Sequence, residues 1–225
     1  MFEPSFWNEK LLPYTAKSNA VAARQVLVTI VPLALIYAAY AYLIKFSGFL
    51  LIPFTLLTTL FLARSFILMH DCGHNSLFRT RRANQFVGFL LGLVTGMPQF
   101  VWSKNHNYHH NTNGDWVKYG GVFNIVTTDR YSQMSGKEQK RYWLFRQPLI
   151  LIPAGFFYVL FNPRFNWLAG NITMLVKIIR PLLTFHFSEA ASVAKKWDTK
   201  YWKGKKDYAH MTYNNLALLA IWFCM

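Results

Sequence analysis

This 225-residue chain is poor in acid and almost free of cysteine. Its two cysteines, Cys72 and Cys224, sit in or beside apolar sequence. That excludes a disulfide scaffold and leaves no thiolate set for a structural zinc site. Nine acidic residues stand against 24 Lys and Arg, and none falls between Glu9 and Asp71. No internal repeat or low-complexity tract is evident. What is present in quantity is apolar. The chain is 53% hydrophobic, 18% aromatic and only 15% charged, with positive mean hydropathy. That is the composition of a membrane protein. The net charge of +15 does not point to nucleic acid, because the basic residues are scattered among apolar runs and form no groove-reading motif. Basic flanks of membrane spans, attracted to anionic headgroups, account for it better.

Residues 1–25 are polar and slightly basic and read as a retained cytoplasmic tail rather than a secretory signal. Residues 26–44 carry no charge over 19 positions, close to the roughly 20 residues that cross a bilayer. Pro32 inside that run is expected to kink it. After Lys45 and a short turn, a second apolar run extends to Met69, and its one charge, Arg64, is expected to snorkel to the headgroups. Residues 26–69 therefore predict a transmembrane hairpin that returns residue 70 to the side of the N-terminus. Lys10, Lys17 and Arg24 before the hairpin and Arg79, Arg81 and Arg82 after it make that side cytoplasmic. Residues 70–146 read as cytoplasmic or interfacial. Within them the apolar stretch 86–102, broken by Gly88, Gly92, Gly96 and Pro98, is expected to lie in the interface or re-enter. Residues 147–210 hold a short span candidate at 147–162 and a basic connecting segment, in which a return across the membrane over 165–187 stays open. Residues 211–225 read as the start of an incomplete transmembrane helix. The fold class is all-α integral membrane: transmembrane helical hairpins with a cytoplasmic, histidine-rich metal site.

Five of the seven histidines fall in two clusters, His70 and His74, then His106, His109 and His110. On a helix, positions i, i+3 and i+4 share a face, so each cluster can aim its imidazoles at one locus. Imidazole suits Zn, Cu, Fe and Ni, and the histidines alone do not name the metal. A zinc metalloprotease has Glu directly after its first histidine, where this chain has Asp71. A carboxylate-rich di-iron bundle needs several Glu, whereas the only acids in or just after these clusters are Asp71 and Asp115. A histidine-rich iron site at a membrane surface remains, placed to act with oxygen on a lipid chain. Paired histidines can also hold haem, but here both clusters sit at or beyond span ends.

The stretches HDCGHNSLF at 70–78 and NHNYHHNTNGD at 105–115 resemble the first and second histidine boxes of integral-membrane fatty acid desaturases, especially the bacterial, cyanobacterial and plant acyl-lipid branch. The hairpin before the first box and the run TTDRYSQMSGKEQKRYWLFRQPLIL at 127–151 look like that branch too, and the resemblance covers about residues 26–165. It implies oxygen-dependent insertion of a double bond into an acyl lipid at two irons, with O2 as co-substrate and electrons from ferredoxin or cytochrome b5. By position, His70, His74, His106, His109 and His110 would be iron ligands, with Asp71 and Asp115 orienting them. Asn105, Asn107, Asn111 and Asn113 read mainly as loop hydrogen-bonders. The family's third box has no counterpart here: His186 and His210 are isolated and read as interfacial or loop histidines. The expectation is a chain truncated before that box, with irons short of ligands. Competing readings are a hydroxylase, carotenoid ketolase or alkane monooxygenase of the same superfamily, and a non-catalytic metal- or haem-binding membrane protein or inactive remnant.

Overall fold

A computed structural model describes residues 10–11, 15–46, 48–113, 115 and 125–224. Parts of the expected tail (1–9 and 12–14), residues 116–124 after the second cluster, and Met225 lie outside the described residues. Among the described residues the chain is helical, without a strand. It divides into two compact units, Met1–Thr95 and Gly96–Met225.

The first unit is a long hairpin with a third helix along it. Helix α1, Asn19–Leu43, starts seven residues before the uncharged run does, because Ser18 caps it by accepting from the Val21 amide at 3.4 Å. It runs on through Pro32. A 3₁₀ turn, Gly48–Leu50, leads into α2, Leu51–Gly73. Both are long and apolar enough to cross a membrane, and few of their residues are buried within the protein. Leu27, Val31, Leu35, Leu56, Leu60 and Ile67 are instead exposed, as a lipid-facing surface requires. Arg64 does more than snorkel. Its Nε donates to Thr29 Oγ1 at 2.8 Å and its Nη2 to Gln25 Oε1, a polar clasp between α1 and α2. Helix α3, Arg81–Thr95, buries Gly88, Leu91 and Gly92, and the two glycines let it approach α2 closely. Met69 and Cys72 of α2 are almost fully buried in this core, and Thr95 Oγ1 approaches Met69 Sδ at 3.7 Å.

The stretch 86–102 is not one helix. It breaks after Thr95, where Gly96 takes a left-handed φ of 73° that side chains resist, and Pro98 precedes the next helix.

The second unit holds α4, Gln99–Thr112; α5, Thr128–Ser132; α6, Gly136–Leu144; α7, Pro148–Leu160; α8, Asn162–Leu183; α9, Phe187–Lys196; and α10, Gly204–Cys224. Helix α6 begins with a reciprocal cap: the Ser135 amide donates to Glu138 Oε2 at 2.8 Å, and the Glu138 amide to Ser135 Oγ at 3.4 Å. Pro148–Tyr158 and Asn162–Leu183 have the length and apolarity of a span only as a pair bent by 51°. The segment 163–210, which composition alone left open, is thus α8, the antiparallel α9, and a turn into α10. α10 starts at Gly204, before the apolar run expected from 211.

Tryptophan side chains hold this unit. Trp202 is 2% exposed and packs with Met174 of α8 and Met211 of α10. Its Nε1 donates to the Trp197 carbonyl at 3.0 Å. Trp167 Nε1 donates to Thr212 Oγ1 at 2.9 Å, and Tyr208 OH to Asn171 Oδ1 at 3.1 Å, tying α8 to α10 twice more. The indole of Trp202 fills the space above Gly170, so a Cβ there would collide with the ring. Gly170→Ala should therefore destabilise the protein by about 1–3 kcal/mol through overpacking. Thermal unfolding in detergent, followed by tryptophan fluorescence, checks this, and Trp202→Leu in the same chain should recover part of the loss.

Candidate metal centre

The first histidine cluster rides the last turn of α2, which continues through the box to Gly73. His70 and His74 are one turn apart, their ring centroids 4.6 Å from each other and their planes at 70°. One ligand nitrogen of each lies within 4.8 Å of the other. Asp71 Oδ1 accepts from His70 Nδ1 at 3.0 Å, which favours the tautomer whose Nε2 is able to bind a metal. The chain leaving the helix is pinned. Asn75 takes a left-handed φ of 56°, and its carbonyl accepts from Lys17 Nζ at 2.7 Å. Buried Asn84 of α3 accepts from the Phe78 amide at 2.9 Å and donates to the Phe78 and Thr80 carbonyls, each at 2.8 Å. Arg79 Nε donates to the Lys17 carbonyl at 2.8 Å.

The second cluster lies on α4. The asparagines expected in a loop are helical up to Thr112, with Asn113 closing the helix. His106 and His110 face each other edge to face, with their Nε2 atoms 2.9 Å apart. Two nitrogens bound to one metal at about 2.0–2.1 Å and at right angles would be separated by about 3 Å. His109 is turned aside, its centroid 6.1 Å from His106 and 5.8 Å from His110, and its nitrogens do not join the set of converging ligand atoms. Asp115 is half-buried just past the helix end, where its amide donates to the Thr112 carbonyl at 3.0 Å.

Three features of α4 escaped a reading of the sequence. Trp102 stacks on His106 with centroids 4.5 Å apart and planes within 14°; its place four residues before His106 was the available clue. Phe100 stacks on His210 of α10 at 4.0 Å, so His210 is a packed helical residue and not a loop histidine. Lys104 Nζ donates to the buried Asp207 Oδ2 at 2.5 Å. His186, by contrast, sits in the turn before α9, with its Nδ1 at 3.0 Å from Thr184 Oγ1.

Closely apposed imidazole pairs with few carboxylates suit a borderline transition metal such as iron and not calcium or magnesium, which take oxygen ligands. This chemistry meets the comparison with known proteins. The family model for fatty acid desaturases matches residues 47–225. The chain belongs to that family. A fatty acid desaturase of Bacillus subtilis is 37% identical over 145 residues, covering 63% of this chain and 41% of the relative. An sn-1 acyl-lipid omega-3 desaturase (ferredoxin) of Synechocystis sp. is 31% identical over 125 residues, covering 54% of this chain and 32% of the relative. An sn-1 oleoyl-lipid 12-desaturase of Picosynechococcus sp. is 38% identical over 77 residues, covering 34% of this chain and 22% of the relative. This desaturase-family chain thus spans less than half the length of these relatives. No solved structure matches it. Family membership and the two span-length helices together make it an integral membrane protein.

Two outcomes are expected at the site's margins. Asn84→Ala strips the Phe78 amide of its acceptor; it should cost about 1–3 kcal/mol and speed hydrogen exchange at Phe78. Burial, with Lys206 nearby, lowers the His210 pKa below 6.5 against the opposing pull of Asp207. As pH falls below 6.5 the unfolded chain takes up that proton first, so stability declines. The melting temperature should drop less in His210→Gln than in the parent when the two are compared at neutral and mildly acidic pH.

Proposed function

We propose that this chain acts as a membrane fatty acid desaturase through its two histidine boxes, and that His70, His74, His106 and His110, joined by His109 once its ring turns from its present position toward the pair, hold iron for oxygen-dependent insertion of a double bond into a lipid acyl chain. One observation carries this most directly: in a chain of the desaturase family, the His106 and His110 Nε2 atoms converge to 2.9 Å, the separation of neighbouring ligands on one metal. In the reaction, two hydrogens leave adjacent methylene carbons. O2 takes those hydrogens with two further electrons and two protons to give two waters. The iron supplies the activation of O2 needed to attack an unactivated methylene.

The remaining work falls to the protein. Asp71 holds His70 by its Nδ1 and so presents Nε2 outward. Trp102 clamps the His106 ring by stacking and keeps water from one of its faces. Asp115, just past the end of α4, would orient a ligand of the second cluster through its carboxylate. The exposed apolar faces of α1 and α2 keep the site at the bilayer, which delivers acyl chains. The basic residues flanking the hairpin favour a cytoplasmic site. Electrons come from a protein donor; ferredoxin is the donor named for the Synechocystis relative.

Elemental analysis of the detergent-purified chain should find stoichiometric iron, lost in His106→Ala and in His110→Ala. Asp71→Asn should weaken iron binding about 10–100-fold while leaving the fold intact. Stoichiometric zinc without iron would overturn the oxygen chemistry. A product heavier by one oxygen, in place of one lighter by two hydrogens, would make the enzyme a hydroxylase.

A further inference from the structure

Lys195, Lys196, Lys200, Lys203, Lys205 and Lys206 are all exposed, six lysines within twelve residues at the end of α9 and the start of α10. The two acids of this stretch do not offset them at the surface, because both carboxylates are engaged inward. Asp198 Oδ1 accepts from the Gly204 amide at 2.5 Å. Asp207 is 7% exposed, and its Oδ2 accepts from Lys104 Nζ at 2.5 Å and from the Lys203 amide at 3.0 Å. Lys104, Lys177 and Lys206 bind the stretch to its neighbours. Lys177 Nζ donates to the Asp198 carbonyl at 3.3 Å, and Lys206 lies over the Phe100 ring at 5.5 Å. The backbone is shaped as well. Trp197 ends α9 in a left-handed conformation with φ 54°, unusual for a bulky residue, and Trp202 is buried over Gly170. The lysines therefore project from a folded, aromatic-backed layer and not from a loose tail.

This layer adjoins the helix of the second histidine cluster. Phe100 and Lys104 of α4 meet it directly, and Phe100 precedes His106 by six residues, about 9 Å along a helix. Interfacial membrane segments pair basic residues with outward tryptophans and tyrosines that sink into the headgroup region. Here Trp202 is buried and Trp197 and Tyr201 are half-buried, so residues 195–206 offer charge without an outward tryptophan or tyrosine. Such a surface fits a soluble partner bearing carboxylates.

We propose that the lysine face of residues 195–206 is the docking surface for an acidic, soluble electron-carrier protein, held beside α4 so that electrons enter next to the second histidine cluster. This rests on the reading of the chain as a desaturase. Each reduced one-electron carrier gives up one electron and leaves oxidised. Two dockings and two protons, with one O2 and the two hydrogens of the acyl chain, balance to one double bond and two waters.

The test is binding of an oxidised plant-type two-iron, two-sulfur ferredoxin to the whole 225-residue chain in uncharged detergent, by surface plasmon resonance across a range of salt. Saturable binding that weakens as salt rises is expected. The Lys195→Glu/Lys196→Glu/Lys200→Glu/Lys205→Glu variant should bind roughly tenfold more weakly, and the control Lys137→Glu/Lys140→Glu less than about twofold more weakly. Absence of saturable binding, or equal loss in both variants, overturns the proposal. So does a quadruple variant that keeps ferredoxin binding but loses binding to phosphatidylglycerol vesicles, which would make the face a membrane contact. Iron measured on the same samples separates the two levels. Iron without docking removes only this surface, whereas docking without iron supports the surface and removes the desaturase reading beneath it.

Discussion

A helix brings imidazoles together on one face only if their spacing matches its turn. Everything else at this site depends on that phase. His70 and His74, and again His106 and His110, are four residues apart and meet. His109 lies about 100° around the helix from His110, which follows it directly, and it points elsewhere. The 2.9 Å contact between Nε2 atoms links His106 to His110, and the surrounding structure adds a hold on the first ring of each pair. For His70 that hold is a carboxylate, and for His106 it is an indole plane.

The helix under the second pair is held in turn from α8 and α10. Arg164 Nη1 of α8 donates to the Gly96 carbonyl at 2.6 Å, just ahead of α4. Asn214 Nδ2 of α10 reaches the Met97 carbonyl at 3.4 Å. Lys104 and Phe100 add an ion pair and a stacked ring farther along. These contacts run from just before α4 to its middle, ahead of the histidines. The arrangement fixes the helix that carries the imidazoles.

Much of this was legible in the order of residues. The two spans announce themselves as long apolar runs, one uncharged and one broken only by Arg64, and the histidine spacing states both the helix and the face. The start of α1 was hidden because Arg24 and Gln25 look like a polar tail, when Gln25 is in fact used by Arg64 from the neighbouring helix. The region 163–210 was illegible for a different reason. Its order comes from partners far apart in sequence, such as Gly170 with Trp202 and Trp167 with Thr212, and no local period encodes such pairs. Family likeness extended the view of function but could not show that His210 packs on Phe100.

The clasp of Arg64 with Gln25 and Thr29 bears on how the protein is made. A guanidinium entering the membrane alone is costly, by about 2.5–3.5 kcal/mol at mid-bilayer on insertion scales. Helix α1 leaves the ribosome first and presents two acceptors, one of them, Thr29, wholly buried in the finished hairpin. The second helix thus enters a bilayer where its arginine already has somewhere to go. Synthesis from the N-terminus makes α1 the template on which α2 is integrated, and the two helices settle as one insertion unit that carries His70 at its end.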